Sequence, residues 1–313
     1  MFGNNRDSDI PTRAVVIYHD HCADGFGAAW AFKTVVEIGC QDYSDGVKYI
    51  PCDYGEAPSF SKEDANADLY ILDFSFPRAN LLTLAGLFAS VTVLDHHKTA
   101  AEDLQDWDHG MSNLEIVFDM KRSGAGIAWD YFAAYGQQRP ILIDYIEDRD
   151  IWAWQLPDSH EINSLIGFTK REFAAYDRLN ELLESKFDAA IGMGNLLLEQ
   201  QQRHVTSIIA ATKRSIEING RHGLVCNCPG QFASDVGNEL AKESGTFGAT
   251  YFQDSQDAMC VSLRSKGDYD VSEIAKQFGG GGHKNAAGFK FSAPIPNAAG
   301  SGVTLWNIPD GNT

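Results

Sequence analysis

Short apolar runs recur along the first half of the chain, and segments with helical patterning separate several of them. The runs are compact and bounded by polar residues, which is typical of β-strands. Helices are predicted at residues 25–32, at 77–88, where a proline begins the first turn, and at 127–135. Alternating strands and helices imply a mainly parallel, Rossmann-like sheet, so the predicted fold class is α/β. The predicted strands are residues 14–18, 47–51, 69–72, 91–94 and 114–118.

Strand signals disappear between about residues 170 and 217, where leucines among charged and glutamine residues indicate helix, interrupted near Gly192 and Gly194. A second series of strand and helix signals then predicts a smaller α/β domain. Its predicted elements are strands at 223–227, 249–252, 258–264 and 289–291, and helices at 232–242 and 271–278. The predicted division is a first domain over residues 1–165, a helical connector over 166–218, a second domain over 219–292 and an irregular tail over 293–313.

The charge balance limits the class of partner. The chain has 43 acidic and 25 basic residues and a net charge of −18, which is the wrong sign for gripping long nucleic-acid duplexes. A short phosphate-bearing substrate fits this charge better, and bound divalent cations would offset part of it. The six cysteines form no paired CxxC motifs, and no export signal or membrane-spanning run is visible. We therefore expect a soluble, cytoplasmic protein without a membrane partner.

Carboxylates and histidines stand directly behind three predicted strands. His19 to Asp24 follows the first strand, Asp73 follows the third, and Asp95-His96-His97 follows the fourth. Because the carboxyl ends of neighbouring parallel strands line one crevice, these groups could share one ion. Imidazole and carboxylate ligands suit a cation such as Mn²⁺. A metal-dependent hydrolase is the function that this pattern favours.

Each cluster also has a simpler interpretation. Asp24 and Asp73 are both in positions where an acid commonly caps the following helix. Adjacent histidines point in different directions in extended chain, so one of His96 and His97 can bind metal while the other faces substrate, unless both are surface residues. Asp95 could accept a hydrogen bond from a ligating imidazole. The acidic run around Asp148 would usually be a solvated face, but apolar residues flank it on both sides.

A glycine-rich segment near the end of the second domain is a candidate anion site. Gly280, Gly281 and Gly282 carry no side chains, so their backbone N–H groups can approach an anion, and His283 adds a donor. A flexible linker is the alternative interpretation, although an apolar strand follows at once. Arg264 could grip a phosphate or stack on a base, or could be an ordinary surface charge.

Taken in order, these clusters resemble the four motifs of the DHH phosphoesterase superfamily, and the glycine segment resembles the DHHA1 substrate-binding domain. The resemblance covers residues 14 to 291. It implies a DHH domain and a DHHA1 domain that close around a phosphate ester, with two divalent cations in the first lobe. The cations are most often Mn²⁺, with Mg²⁺ or Co²⁺ as alternatives.

The resemblance also implies roles for the individual residues. The implied metal ligands are His19 for one ion, Asp24 and His96 for the other, Asp73 as a bridge, and Asp148 to complete the second site. His97 would be catalytic and lie beside the scissile phosphate, and Asp95 would orient His96. Arg264, Gly280, Gly281, Gly282 and His283 would bind substrate.

The first motif departs from the family pattern. Most members have Asp-x-Asp-Gly, whereas this chain has Cys22-Ala23-Asp24-Gly25. Cys22 could be a thiolate ligand that favours softer metals, or no ligand at all, with Asp20 or His21 taking its place. In the fourth motif Asp150 is a close competitor of Asp148.

The favoured reaction is metal-dependent hydrolysis of phosphodiesters in short oligonucleotides or in linear or cyclic dinucleotides. One alternative is a RecJ-type exonuclease on single-stranded DNA, which would need a basic, aromatic-lined groove. A second is a non-catalytic nucleotide-binding protein in which Cys22 has disabled the first metal site. The sequence leaves the oligomeric state open, with a homodimer among the options.

Overall fold

The computed structural model describes residues 13–20, 22–37, 46–53, 55–104, 106–133, 137–218, 220–255 and 257–291. The chain divides into two compact units, and the division falls after Leu198. Each unit contains one β-sheet. The predicted α/β class is confirmed in both units.

The sheet of the first unit is parallel throughout, with the strand order β2-β1-β3-β4-β5. All five strands were predicted, and their observed ends differ by no more than one residue from those predicted. The order reverses between β1 and β3, which makes this pair the topological switch point of the sheet. The strands are β1 (Ala14–His19), β2 (Val47–Cys52), β3 (Asp68–Leu72), β4 (Ser90–Asp95) and β5 (Leu114–Phe118).

Both faces of this sheet are buried. Along β1, Val16 belongs to an apolar cluster with residues of three helices, Ala23–Phe32, Gly124–Phe132 and Ile141–Asp150. Val15 and Ile17 belong to a second cluster, on the other face, with residues of the helix Arg78–Ala85. Alternate residues of a strand point to opposite faces, so a strand covered on both sides is apolar at every position. This is why short continuous apolar runs identified the strands.

Helices connect the strands and continue beyond the sheet. Helices α3 and α6 were not predicted, and the acidic run of the fourth motif proves to be the carboxyl-terminal end of α5. The helices are α1 (Ala23–Phe32), α2 (Arg78–Ala85), α3 (Lys98–Leu104), α4 (Gly124–Phe132), α5 (Ile141–Asp150), α6 (Ser159–Phe168), α7 (Phe173–Ser185) and α8 (Phe187–Thr212).

The predicted connector is helical but differs from the prediction in three respects. The break between α7 and α8 lies at Lys186 and not at the glycines. Gly194 instead permits close packing, because an added Cβ would lie 2.1 Å from the carbonyl oxygen of Glu161. The buried Tyr176 and Leu183 of α7 belong to the core of the first unit, and the division between units falls inside α8. The four-part domain division therefore stays a prediction.

The second unit has a six-stranded mixed sheet, in which β7 and β8 pair in parallel and the other neighbours are antiparallel. The prediction of helix up to residue 217 was wrong at its end. Strand β6 shows the period of two that a half-buried strand requires, with Ile216 and Ile218 buried. The elements are β6 (Arg214–Ile218), β7 (Arg221–Asn227), α9 (Ala233–Ser244), β8 (Phe247–Gln253), β9 (Met259–Ser265), α10 (Ser272–Gln277), β10 (Gly281–His283) and β11 (Ala286–Phe291).

Among the described residues, no helix combines the length and the apolar composition needed to cross a membrane. The predicted tail at 293–313 lies outside the described residues.

Candidate metal centre

The carboxyl ends of β1, β3 and β4 lie side by side, because these strands are neighbours in the parallel sheet. His19 is the last residue of β1, Asp73 directly follows β3, and Asp95 is the last residue of β4. Two of these strands form the switch point, which is where open α/β sheets bind their ligands. The edge of the sheet thus brings together three clusters that are far apart in sequence.

The turn between β1 and α1 places Cys22 against His19. Cys22 is the N-cap of α1, and its Sγ accepts a hydrogen bond from the Gly25 N–H at 3.1 Å. The same sulfur lies 3.5 Å from His19 Nδ1 and 3.4 Å from Asp73 Oδ2. Only glycine fits at position 25, since an added Cβ would lie 2.1 Å from the carbonyl oxygen of His19.

Asp73 occupies the middle of the cluster. Its backbone is left-handed, with φ of 64°, and its N–H donates to the Leu94 carbonyl at 2.8 Å. Oδ2 lies 3.5 Å from His19 Nδ1, and Oδ1 lies 3.1 Å from His96 Nε2. The His96 ring is near enough to pair electrostatically with Oδ1, but no described group donates a well-aligned hydrogen bond to this buried oxygen. A buried carboxylate oxygen without a hydrogen bond is costly, and a bound cation would compensate that cost.

Asp95 contacts the ring of His97, whereas the sequence predicted that it orients His96, and that role stays a prediction. Asp95 Oδ1 accepts hydrogen bonds from the backbone N–H groups of His96 and His97 at 2.7 and 3.1 Å. The same oxygen lies 2.7 Å from His97 Nδ1. The ring of His96 points elsewhere, with Nε2 3.6 Å from Asp24 Oδ2. The two adjacent histidines thus point in different directions, as predicted. His96 faces Asp24 and Asp73, and His97 faces Asp95.

The amino-terminal end of α4 fixes Asp24. The Gly124 and Ala125 N–H groups donate to the two carboxylate oxygens of Asp24, at 2.6 and 2.9 Å. These N–H groups have no partner inside the helix, and the positive end of the helix dipole favours an anion there. Sequence reasoning did not find this contact, although a Ser-Gly-Ala-Gly start to a helix is a recognisable signal.

The structure distinguishes the two acids of the fourth motif. Asp150 Oδ2 lies 3.5 Å from His96 Nε2, whereas Asp148 is occupied elsewhere. The buried Asp148 carboxylate accepts hydrogen bonds from the Gln155 and Leu156 N–H groups and from the Ser159 hydroxyl, at 2.8, 3.3 and 2.6 Å. The geometry therefore favours Asp150 over Asp148 as a candidate ligand, and the ligand assignment stays a prediction. Residues two apart on a helix point to different sides, so only one of the pair can face His96.

Besides the set formed by Asp73, Asp95 and His97, the first unit contains two overlapping sets of candidate ligand atoms. Those of His19, Cys22 and Asp73 lie within 4.8 Å of one another, and so do those of Asp24, Asp73 and His96. Asp73 belongs to both sets. Nitrogen and oxygen donors with one sulfur suit a transition-metal divalent cation. A cation bound there would also satisfy the buried Asp73 oxygen that lacks a hydrogen bond. The residues present fit a pair of divalent cations.

Two further acids, Asp53 and Asp20, lie near the strand ends and differ in their contacts. Asp53, which sequence reasoning missed, lies with Oδ1 3.6 Å from His19 Nε2. It directly follows β2, so the signal that marked the other strand ends applied to it too. The Asp20 N–H donates to the Cys52 carbonyl at 2.9 Å, and Asp20 is in none of the convergent groups among the described residues. His21 lies outside the described residues.

The electrostatics of the cluster favour bound positive charge. Burial, followed by the charges of Asp73 and Asp150, raises the pKa of Asp24 well above its ordinary value. Burial also raises the pKa of the Cys22 thiol to about 12, with Asp73 adding to the effect. Burial alone would lower the pKa of His96, but Asp73 and Asp150 raise it to about 11. The carboxylates thus hold protons on their neighbours, and cation binding would release those protons.

The predicted substrate-binding residues lie in the second unit. Gly281–His283 form β10, which pairs with Ala286–Phe291 in a tight hairpin. An added Cβ on Gly280 would lie 2.1 Å from the Gly288 carbonyl oxygen, so this glycine serves the packing of the hairpin. Gly282 has φ of 132°, which only glycine adopts readily. Anion binding by this segment and by His283 stays a prediction.

Arg264 on β9 is anchored within its own unit. Its Nη2 donates to the Ser234 hydroxyl at 2.7 Å, and its Nη1 donates to the Leu263 carbonyl at 2.9 Å. Gly237 lies beneath the side chain, where an added Cβ would be 2.9 Å from Arg264 Cγ. The guanidinium is therefore held in a defined position, unlike that of an ordinary surface arginine. Its contact with substrate stays a prediction.

Comparison with known proteins gives the following relatives. Residues 230–299 match the family model of the DHHA1 domain. Protein R106 of Acanthamoeba polyphaga mimivirus, described as uncharacterized, is 35% identical over 294 residues, covering 89% of this chain and 67% of its own length. Oligoribonuclease NrnB of Bacillus subtilis is 26% identical over 295 residues, covering 87% of this chain and 71% of its own length.

Solved structures also resemble this chain at low identity. An exopolyphosphatase-related protein from Bacteroides fragilis is 16% identical with a TM-score of 0.48, covering 91% of this chain and 88% of its own. The pGpG-specific phosphodiesterase PggH from Vibrio cholerae is 11% identical with a TM-score of 0.44, covering 90% of this chain and 94% of its own.

Proposed function

The chain belongs to the DHH/DHHA1 family of phosphodiester hydrolases, and from that premise we propose that it cleaves short oligonucleotides or dinucleotides. The products are mononucleotides, and the reaction depends on two divalent cations, with Mn²⁺ as the first choice. The observation that carries the proposal is the convergence of imidazole, thiol and carboxylate groups on Asp73, which has a buried oxygen without a hydrogen bond.

His19, Cys22 and Asp73 would hold one cation, and Asp24, Asp73, His96 and Asp150 the other. When bound, such a pair supplies a nucleophilic water at neutral pH and neutralises the phosphate. The α4 N–H groups keep both oxygens of Asp24 in position. Asp53, beside His19, would orient that ring as carboxylate partners of ligating histidines do.

We assign His97 to the scissile phosphate. Asp95 Oδ1, 2.7 Å from Nδ1, fixes the ring and its tautomer, so that Nε2 is the nitrogen that meets the substrate. Held in this way, the ring is positioned beside a phosphate that is gaining negative charge. Asp95 is a positioning residue in this scheme, and His97 is the group that touches the substrate.

The preference for short substrates rests on charge and on a relative. A net charge of −18 opposes the long polyanions that a processive exonuclease would bind. The name oligoribonuclease belongs to a relative that aligns with 87% of this chain, which agrees with a short substrate. Arg264, His283 and the glycines of the second unit stay predicted substrate-binding residues.

A metal-by-substrate screen tests the proposal. Mn²⁺, Mg²⁺ and Co²⁺ are each combined with dinucleotides, cyclic dinucleotides, 3′,5′-bisphosphonucleosides, five-residue RNA and long single-stranded DNA. We expect Mn²⁺-dependent release of mononucleotides from the short substrates, and loss of that release in Asp73→Asn. Cleavage of long strands as fast as dinucleotides would favour a RecJ-type exonuclease. No turnover with any cation, together with nucleotide binding that survives Asp73→Asn, would favour a non-catalytic binding protein.

A further inference from the structure

Two tryptophans immediately follow the acid that faces His96. Helix α5 ends at Asp150, and the chain continues as Ile151, Trp152, Ala153 and Trp154. Trp152 and Trp154 both have left-handed backbones, with φ of 59° and 52°. Left-handed backbone is uncommon for bulky residues and costs free energy, so it persists only where the surroundings hold it.

Asp148 holds this turn. Its carbonyl oxygen accepts hydrogen bonds from the Ala153 and Trp154 N–H groups at 2.9 and 3.2 Å. Its carboxylate accepts the next two N–H groups, those of Gln155 and Leu156. One residue thus accepts four consecutive backbone N–H groups. The acid that was expected to bind metal instead fixes the backbone that carries the tryptophans.

The rings form a small aromatic cluster. Trp154 stacks on His160, with ring centroids 3.9 Å apart and an interplanar angle of 17°. Trp152 meets Trp154 edge to face, at 5.0 Å and 84°. Trp152 remains 39% exposed, and His160 is exposed too. A rigid indole that is braced on one side and open to solvent on another is suited to stack on a flat partner.

We propose that Trp152, supported by Trp154 and His160, is a stacking surface for a nucleobase of the substrate. Trp152 lies two positions after Asp150, with only Ile151 between them, so the two Cα atoms are at most about 7 Å apart. A sugar places a base at a comparable distance from its phosphate. The proposal rests on the proposed function and deepens it, because it assigns base recognition to this turn.

A base is a better match for this surface than another protein. The exposed residues of this segment besides Trp152 are Ile151, Gln155, Pro157, Asp158 and His160, three of which are polar. Stacking needs only one flat ring and is tolerant of base identity. Purines, with their larger rings, should gain more from it than pyrimidines. The fixed backbone means that little conformational entropy is lost when the base binds.

The test compares a dinucleotide with an analogue in which one base is replaced by hydrogen. In Trp152→Leu we expect the KM for the purine dinucleotide to rise about tenfold, in line with the loss of one stacked base, while kcat stays close to that of the parent protein. Trp152→Phe should restore most of the affinity. The analogue should be cleaved equally well by the parent protein and by Trp152→Leu.

Phe168→Leu is the matched control, because Phe168 is an aromatic residue of the same unit that is 73% exposed. It should leave both KM values unchanged. A second measurement follows tryptophan fluorescence while AMP is added in the presence of Mg²⁺. Quenching is expected in the parent protein and in Phe168→Leu, and it should be much weaker in Trp152→Phe.

An unchanged KM in Trp152→Leu, or an equal loss for both substrates, would overturn the stacking proposal and leave the hydrolase proposal standing. If the parent protein cleaves neither substrate, the hydrolase proposal fails, and the fluorescence titration still decides whether Trp152 meets a base. Absence of quenching by AMP in the parent protein would count against stacking in either case.

Discussion

Asp148 and Asp150 are two positions apart, both acidic, and have different roles. Asp148 is buried and accepts hydrogen bonds from two backbone N–H groups and one hydroxyl. Asp150 is partly exposed and lies 3.5 Å from His96 Nε2. The sequence Glu-Asp-Arg-Asp does not distinguish them, because their partners are supplied by residues elsewhere in the fold. The direction of the side chain separates this pair, because Asp150 faces His96 while Asp148 faces the turn that follows α5.

The isosteric variants Asp148→Asn and Asp150→Asn should therefore behave in opposite ways. Asp148→Asn turns an acceptor of three hydrogen bonds into a partial donor, and we expect it to destabilise the protein by about 2 kcal/mol. Asp150→Asn removes both an attraction to His96 and a repulsion from the neighbouring carboxylates, so the net change in stability without metal should be small. Its Mn²⁺ affinity should fall at least about tenfold, since even partners of ligands usually matter that much.

Thermal unfolding with EDTA and calorimetric titration with Mn²⁺ measure the two effects on the same samples. Asp148→Asn should retain most of its Mn²⁺ affinity in the folded protein. A variant pair in which Asp148→Asn loses the metal and Asp150→Asn keeps it would return the ligand role to Asp148.

At the scale of elements, the start of α4 is pressed against the metal cluster. Its first two N–H groups bind Asp24, and a Cβ on Gly124 would lie 2.5 Å from Asp73 Oδ1. Glu147 on α5 fixes this helix start by accepting the Ser123 N–H at 3.0 Å and by pairing with Arg122 and Arg139. Helices α4 and α5 thus support the ligands of two different motifs.

Gly124→Ala should consequently weaken metal binding. The added methyl must displace Asp73, which belongs to both ligand sets, so we expect Mn²⁺ affinity to fall by roughly tenfold, the size of effect that disturbed ligand support usually has. Gly192→Ala in α8 is the control, because nothing lies within 4 Å of its Cβ position. That substitution should stabilise the protein by about 0.5–1 kcal/mol and leave affinity unchanged. Equal Mn²⁺ affinities in the two variants would contradict the proposed packing of Gly124 on Asp73.

The elements differ in how well the sequence predicts them. The central strands β1, β3 and β4 were predictable because both of their faces are largely buried, so their apolar runs are nearly continuous. Helix α5 was not recognised, because its polar end carries functional acids in place of an amphipathic pattern. The Asp73 turn and the two left-handed tryptophans depend on tertiary hydrogen bonds that no local pattern encodes. The order of the motifs along the chain indicated the candidate site. The hydrogen-bond partner of each acid could be identified only from the folded structure.

At the scale of the whole molecule, charge and metal binding are linked. The net charge of −18 is spread over the chain, but buried or partly buried acids concentrate near Asp73 at the edge of one sheet. Like charges held together destabilise the folded state, and a divalent cation removes that cost. All of the proposed ligands belong to the first of the two compact units. Metal binding should therefore stabilise one unit specifically.

Scanning calorimetry with EDTA or with Mn²⁺ at about 100 times its dissociation constant tests this link. A cation that binds only the folded state at that concentration adds about 2.7 kcal/mol for each occupied site, which corresponds to roughly 5–10 °C per site for a unit of this size. We expect the transition of the first unit to rise by that amount and any separate transition of the second unit to stay in place. The Asp150→Asn variant identifies which transition belongs to the first unit, because Mn²⁺ should raise the temperature of that transition less in the variant than in the parent protein. Identical scans with EDTA and with Mn²⁺ would mean that the acids around Asp73 bind no metal, and the two-cation hydrolase would have to be abandoned.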